Sequence, residues 1–231
     1  MNALALKLSL LAVMLPLALV VTLAVPGAAV AVCPTNSMSA PGASQVSPNP
    51  SGHLAGSRTC VEGGNIRHTA TGNVSYDLTH GTISAYVDVQ ILCSGTSEML
   101  THDIFTLTGP ASTSPISFSS VINVHSWADG VAFAGATVRE GDSNISPGSV
   151  PGDWSTVGIT ITVGPGSSFD LYMDGRAAGG YWGNGGAAVN AWLDFPDLPA
   201  GYVVQSCQGF IAGGVVPVRA ASWGKLKSLY R

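Results

Sequence analysis

Among the acidic residues, Asp88, Glu98, Asp103, Asp170, Asp174 and Asp194 are candidates for acid–base chemistry. Glycosidic cleavage needs two carboxyl groups facing a sugar across roughly 5–10 Å. Several of these residues alternate outward along expected strands and so can line one sheet face; ordinary solvated positions account for them equally well. The histidines His53, His68, His80, His102 and His125 are scattered, and an imidazole needs a positioned partner before it acts as a base. A serine hydrolase needs its nucleophile on a strained turn, but no G-x-S-x-G occurs. The expectation is a protein without catalysis.

Metal ligation finds no pattern either. HExxH and the EF-hand spacing are absent. His102 and Asp103 are adjacent on an expected strand, so their side chains point to opposite faces and do not share an ion. Loop carboxylates near Asp142 or Asp153 leave calcium open, without support from any spacing. No cofactor is expected.

The most distinctive local stretch is Gly175-Arg-Ala-Ala-Gly-Gly-Tyr-Trp-Gly-Asn-Gly-Gly186. It lacks the Lys-Ser/Thr ending and the strand-to-helix setting of a phosphate loop. Read blandly, it is a long, flexible hairpin connection in which glycine supplies positive φ. Read functionally, it holds out Tyr181 and Trp182, with Asn184 beside them, as a stacking platform for a sugar or polymer. Trp127, Trp154 and Trp192 are further contributors, although core packing accounts for tryptophan more often. Asn73-Val-Ser75 and Asn144-Ile-Ser146 match the glycosylation pattern, which matters only in a host that modifies it.

These groups must be positioned by strands. Ile83, Ala85, Val87, Val89 and Ile91 alternate with Thr82, Ser84, Tyr86, Asp88 and Gln90, the mark of a strand with one buried face. The period of two returns at Ile116–Val124, Ile159–Val163, Phe169–Met173 and Ala187–Phe195. Turn signals such as Thr108-Gly109-Pro110, Asp129-Gly130 and Gly164-Pro165-Gly166 punctuate the runs. No helical period occurs between the amino-terminal segment and residue 220. The expected fold is all-β, a two-sheet antiparallel sandwich or jelly-roll-like domain.

The amino terminus reads as a secretory signal. Lys7 precedes an apolar run from Leu8 to Val25, Pro26-Gly27 breaks the helix, and Ala29-Val30-Ala31 offers a small-residue cleavage site. Cleavage after Ala31 leaves residues 32–231 and no stable membrane span. The four cysteines, Cys33, Cys60, Cys93 and Cys207, suit disulfides in an exported chain, with no C-x-x-C for zinc or redox work. Four cysteines allow three pairings; Cys33–Cys60 and Cys93–Cys207 are expected. Only 10% of residues are charged, and losing Lys7 takes the net charge from −4 to about −5. An acidic chain without a basic patch has no electrostatic footprint for nucleic acid.

The segments divide as follows. Residues 1–31 form the signal helix, and 32–57 an irregular Pro/Ser/Gly-rich lead-in. The sandwich covers 58–211, a linker 212–221 and an amphipathic tail 222–231. In that tail Ser222 caps a short helix carrying Trp223, Leu226 and Leu229 or Tyr230 on one face, away from Lys225, Lys227 and Arg231. It reads as packing against the sandwich or as a docking and sorting tag.

Three stretches, Thr101-His-Asp-Ile-Phe-Thr-Leu-Thr-Gly109, Gly164–Asp174 and Leu198-Pro-Ala-Gly-Tyr-Val-Val-Gln-Ser-Cys-Gln-Gly209, make the region Gly81–Phe210 resemble a β-sandwich domain of secreted bacterial proteins of unknown function. The ending is similar to short Trp-Gly-x-Leu-Lys-x-Leu-Tyr-Arg tails on exported bacterial proteins. The resemblance implies a sorting tail after the domain and brings no catalytic residues. Together these features give a secreted or cell-surface protein, periplasmic as one possibility, with a structural, adhesive or ligand-binding role. Its expected partner is a polysaccharide or a cell-envelope component. The alternatives are a carbohydrate-binding module or a divergent polysaccharide-active enzyme.

Overall fold

Side chains that flip faces at every residue must be covered on one side, and the chain does this by stacking two antiparallel sheets. The computed structural model describes residues 32–64, 66–141, 144–145 and 154–213, all within one compact unit, Val32–Arg231. The smaller sheet runs in the order β10 (Trp154–Val163), β7 (Ile116–Ala128), β12 (Gly185–Asp194), β5 (Thr82–Val89), β4 (Ile66–Asp77) and β3 (Ser51–Glu62). The larger runs β14 (Ile211–Gly213), β13 (Val203–Ser206), β6 (Gly95–Thr108), β11 (Ser168–Gly179), β8 (Ala132–Glu140) and β9 (Asn144–Ile145). Off that path, β1 (Asn36–Ala40) pairs with β6, and β2 (Ala43–Ser47) pairs with β1. From β5 to β13 the chain changes sheet at every connection except β8 to β9, setting β5-β12-β7-β10 against β13-β6-β11 in a jelly-roll-like order. The described residues contain no helix. The expected signal helix and the tail 222–231 lie outside them.

The core is graded along the strands. Phe105, Phe118, Phe169, Phe195 and Phe210 form one aromatic cluster, with neighbouring ring centroids 5.6–6.0 Å apart. Elsewhere the inner faces carry small residues such as Ala70, Ala134, Ala177 and Ala187, together with Val87 and Val89. There the sheets close until a side chain at Gly179 would run into Val89. The stretch Gly175–Gly186 is therefore not a long hairpin connection. Residues up to Gly179 belong to β11 in one sheet and those from Gly185 to β12 in the other, leaving only 180–184 as the crossing. Gly175 and Gly179 serve close approach of the sheets, facing Ile83 and Val89, while Gly186 makes room for Trp127 on the outer face.

The lead-in 32–57 also differs from its expected irregular state, because it holds β1, β2 and the start of β3. Its sequence is poor in strand-forming residues. Met38 and Ala40 are buried, and the buried Asn36 side chain accepts a hydrogen bond from the His102 N–H at 3.1 Å. Its amide nitrogen donates to Gln208 Oε1 at 3.1 Å. Edge pairing and a buried polar network hold a segment that local propensity does not.

The disulfides join Cys33 to Cys207 and Cys60 to Cys93, not Cys33 to Cys60 and Cys93 to Cys207 as expected. Both β1 and β13 pair with the same edge of β6, which brings Cys33 and Cys207 to a Cα separation of 5.6 Å. The turn after β5 folds over the start of β4, where Gln90 N–H donates to the Thr69 carbonyl, and delivers Cys93 to Cys60 on β3. Two disulfides fit a compartment outside the reducing cytoplasm.

Candidate functional site

Three tryptophans lie on the outward face of the smaller sheet. On β7, Ile122 and Val124 are buried, so Asn123, His125 and Trp127 point outward. On β12, Val189, Ala191 and Leu193 are buried, so Asn190 and Trp192 point outward. The register then sets cross-strand rows. One row reads Trp154, His125, Asn190, Ser84, Ser75 and His53. The next in one direction reads Thr156, Asn123, Trp192, Thr82 and Asp77. In the other direction lie Trp127, Ala188, Tyr86 and Asn73.

The rings line these rows in two groups, Trp154 with His125 and Trp192, and Trp127 with Tyr86, which together make an aromatic band. Trp154 stacks on His125 with centroids 4.6 Å apart and meets Trp192 edge to face at 5.2 Å. Trp127 packs over Gly186 and approaches Tyr86 at 6.4 Å across the small Ala188. Trp154 is 66% exposed and Trp127 41% exposed. Beside the band lies an open groove of about 360 Å3, lined by Ser75, Asp77, Thr82, Ser84, Asn190 and Trp192. Its hydroxyls are ordered locally: Ser75 Oγ and Ser84 Oγ are 2.7 Å apart. Thr156 donates to Asn123 Oδ1 at 2.9 Å. The site thus pairs an apolar wall with a floor of neutral donors and acceptors, with the Asp77 carboxylate at its margin.

The sequence offers these tryptophans as further contributors to a stacking surface around Tyr181 and Trp182, with core packing as the commoner role; the structure turns them outward on a sheet face of their own. Trp192 shares parity with Asn190 and Asp194, opposite the apolar alternation Ala187–Phe195, and Trp127 stands opposite Ile122 and Val124 in the same way.

Tyr181, Trp182 and Asn184 sit together at one end of the sandwich, in the crossing from β11 to β12. The two rings meet edge to face at 5.0 Å, and Trp182 is 80% exposed. Neighbouring loops fix them. Leu92 N–H donates to the Tyr181 carbonyl at 2.7 Å, and Gly180 N–H to the Val131 carbonyl at 3.0 Å. Asn184 Oδ1 accepts from Ile91 N–H at 2.7 Å, which commits that oxygen to the scaffold.

The candidate carboxylates do not share one face. Asp88 and Asp194 point outward from the smaller sheet, Glu98, Asp170 and Asp174 outward from the larger, and Asp103 into the core. Burial raises the Asp103 carboxyl above its ordinary range, against hydrogen bonds from Ser206, Ile104 and Gln208. On the larger sheet, Arg139 lies 3.9 Å from the Tyr172 ring centre, Tyr172 stacks on His102 at 4.1 Å, and His102 Nε2 is 2.9 Å from Asp170 Oδ1. Asp174 is pushed up to about 6, first by burial and then by the charge of Glu98, with Arg176 and Arg139 opposing. Among the described residues no group of three or more His, Cys, Asp or Glu side chains forms a metal-holding set.

No protein family matches the chain, and no curated protein does. Among solved structures it is similar to the carbohydrate-binding module TmCBM61 in complex with β-1,4-galactotriose. That likeness has 13% identity and a TM-score of 0.27, and covers 48% of this chain and 70% of that one. It is also similar to the enzymatically active domain of bacteriophage CBA120 tailspike protein 4, at 11% identity and a TM-score of 0.27, covering 62% of this chain and 19% of that one.

Proposed function

We propose that the protein is a non-catalytic, secreted or cell-surface module that binds a polysaccharide along the outward face of the smaller sheet. The observation that carries this reading is the band of Trp127, Trp154 and Trp192 beside a groove floored by Ser75, Ser84, Thr82 and Asn190. Aromatic rings cover the apolar C–H faces of a sugar, while neutral hydroxyl and amide groups exchange hydrogen bonds with its rim. A clustered set of half-exposed tryptophans leaves apolar surface in water that a ligand would remove. The paired cysteines and the amino-terminal signal pattern support a location outside the cytoplasm.

The test is a polysaccharide pull-down and glycan array with the wild type and the Trp154→Ala, Trp192→Ala and Trp182→Ala variants. Wild-type binding that falls in the first two variants and persists in the third supports the sheet face. Loss confined to Trp182→Ala moves the site to the loop end with Tyr181. A wild type that holds no glycan overturns the reading.

A further inference from the structure

The charges around the aromatic band narrow the ligand further. We infer, resting on the glycan-binding reading, that this face takes an uncharged glycan and rejects chains bearing carboxylate, sulfate or phosphate groups.

Three outward carboxylates border the band. Asp88 pairs in register with Gly186, over which Trp127 lies. Asp194 follows Trp192 by two residues on the same face, and Asp77 pairs with Thr82 at the groove. Asp77 stays ionised, because its carboxylate accepts from the Thr79 hydroxyl at 2.5 Å and lies 2.7 Å from His80 Nδ1, which hold it below the usual range.

His80 lies 2.7 Å from Asp77, and the arginines of the described residues stand elsewhere. Arg58, on β3, pairs with the buried Ala70 and so belongs to the opposite face of the sheet. Arg139 and Arg176 belong to β8 and β11 of the other sheet. Arg67 stands at the far end of β4, beyond the stretch that β5 pairs. Recognition of a carboxylate or sulfate ordinarily uses an arginine fork. Here the groove offers Ser75, Ser84, Thr82 and Asn190, which suit hydroxyls as both donors and acceptors. A charged chain laid on the band would approach Asp88 and Asp194 without a compensating cation, a like-charge arrangement that selects against that partner.

The test uses matched polymers: a neutral glucan, mannan and galactan, each beside the same polymer oxidised at C6 to the uronate. Affinity is measured on the full exported chain at mildly alkaline pH, where imidazole is uncharged. The expected result is binding of at least one neutral polymer, with its oxidised form weaker by about tenfold or more at low salt and the gap narrowing as salt rises. In an Asp88→Asn/Asp194→Asn double variant the oxidised form regains affinity while the neutral form is held as before. Equal or tighter binding of an oxidised polymer at low salt overturns the inference and leaves glycan binding standing. Retention of no polymer of either kind overturns glycan binding and the inference with it.

Discussion

Trp154 and Trp192 meet edge to face with their ring centroids 5.2 Å apart, although β7 runs between the strands that carry them. The contact spans β7 because Trp154 rests on the His125 ring and leans across that strand toward β12. Each tryptophan therefore helps to fix the other's orientation. We expect Trp154→Ala and Trp192→Ala each to weaken glycan binding about tenfold, or about 1.4 kcal/mol. The double variant should lose less than the sum, because the second substitution removes a ring already displaced. Calorimetric titration of the two single variants and the double variant measures this coupling; strict additivity would mean the rings act as separate stations.

Asn184 offers a sharp contrast. Its side-chain oxygen holds the Ile91 N–H at 2.7 Å, tying the β11–β12 crossing to the turn after β5. Asn184→Ala is expected to cost about 0.5–1 kcal/mol of stability through that lost hydrogen bond. Glycan affinity should stay within about twofold of wild type. Urea denaturation and a binding titration on the same preparation separate the two effects, and an affinity loss with unchanged stability would make Asn184 a ligand contact.

The carboxyl group of Asp174 makes stability depend on pH. Its folded-state pKa of about 6 lies above the ordinary 3.8, because burial and the neighbouring Glu98 disfavour the charge. Its Oδ1 is buried without a hydrogen-bond partner among the described residues. The folded chain thus holds this proton more tightly than the unfolded one. The stabilisation is fully present below the unfolded value near 3.8 and is lost as pH rises through about 6. Asp174→Asn removes the charge and should stabilise the protein at neutral pH by about 1–2 kcal/mol, allowing for the group's partial exposure. The gain should vanish below roughly pH 4. Urea midpoints of both proteins across the acid-to-neutral range test this, and a gain that persists in acid would point to packing instead of charge.

The strand pattern between Thr82 and Phe195 was legible in the sequence because one face of each strand is buried. β5, β7, β10, β11 and β12 all fall within or around runs that alternate apolar and polar residues. β1 and β2 were not legible, since Asn36 and Met38 gain their partners from β6 and Gln208, far along the chain. The disulfide pairing was hidden for the same reason, as it depends on which strands share an edge of β6. The aromatic face was half legible. Parity alone turns Tyr86, Trp127 and Trp192 outward, but only the register across β10, β7 and β12 assembles them with Trp154 into one surface.

The bridges should contribute unequally to stability. Cys33–Cys207 spans 174 residues and Cys60–Cys93 spans 33. Chain-entropy reasoning gives about 5 kcal/mol for the first and about 4 kcal/mol for the second. We expect the Cys33→Ala/Cys207→Ala protein to unfold at lower urea than the Cys60→Ala/Cys93→Ala protein. Peptide mapping without reduction should recover a fragment containing Cys33 joined to one containing Cys207. Recovery of Cys33 joined to Cys60 would contradict the placement of β1 and β13 on a common edge.

The long bridge also has a mechanical consequence. A pull on the chain ahead of Cys33 and beyond Cys207 travels through one sulfur–sulfur bond and bypasses nearly every strand between them. A domain tethered to a wall at one end and loaded through its ligand would keep both of its chain ends locked together under tension. Unzipping of the strands between Cys33 and Cys207 would then require a reductant as well as force.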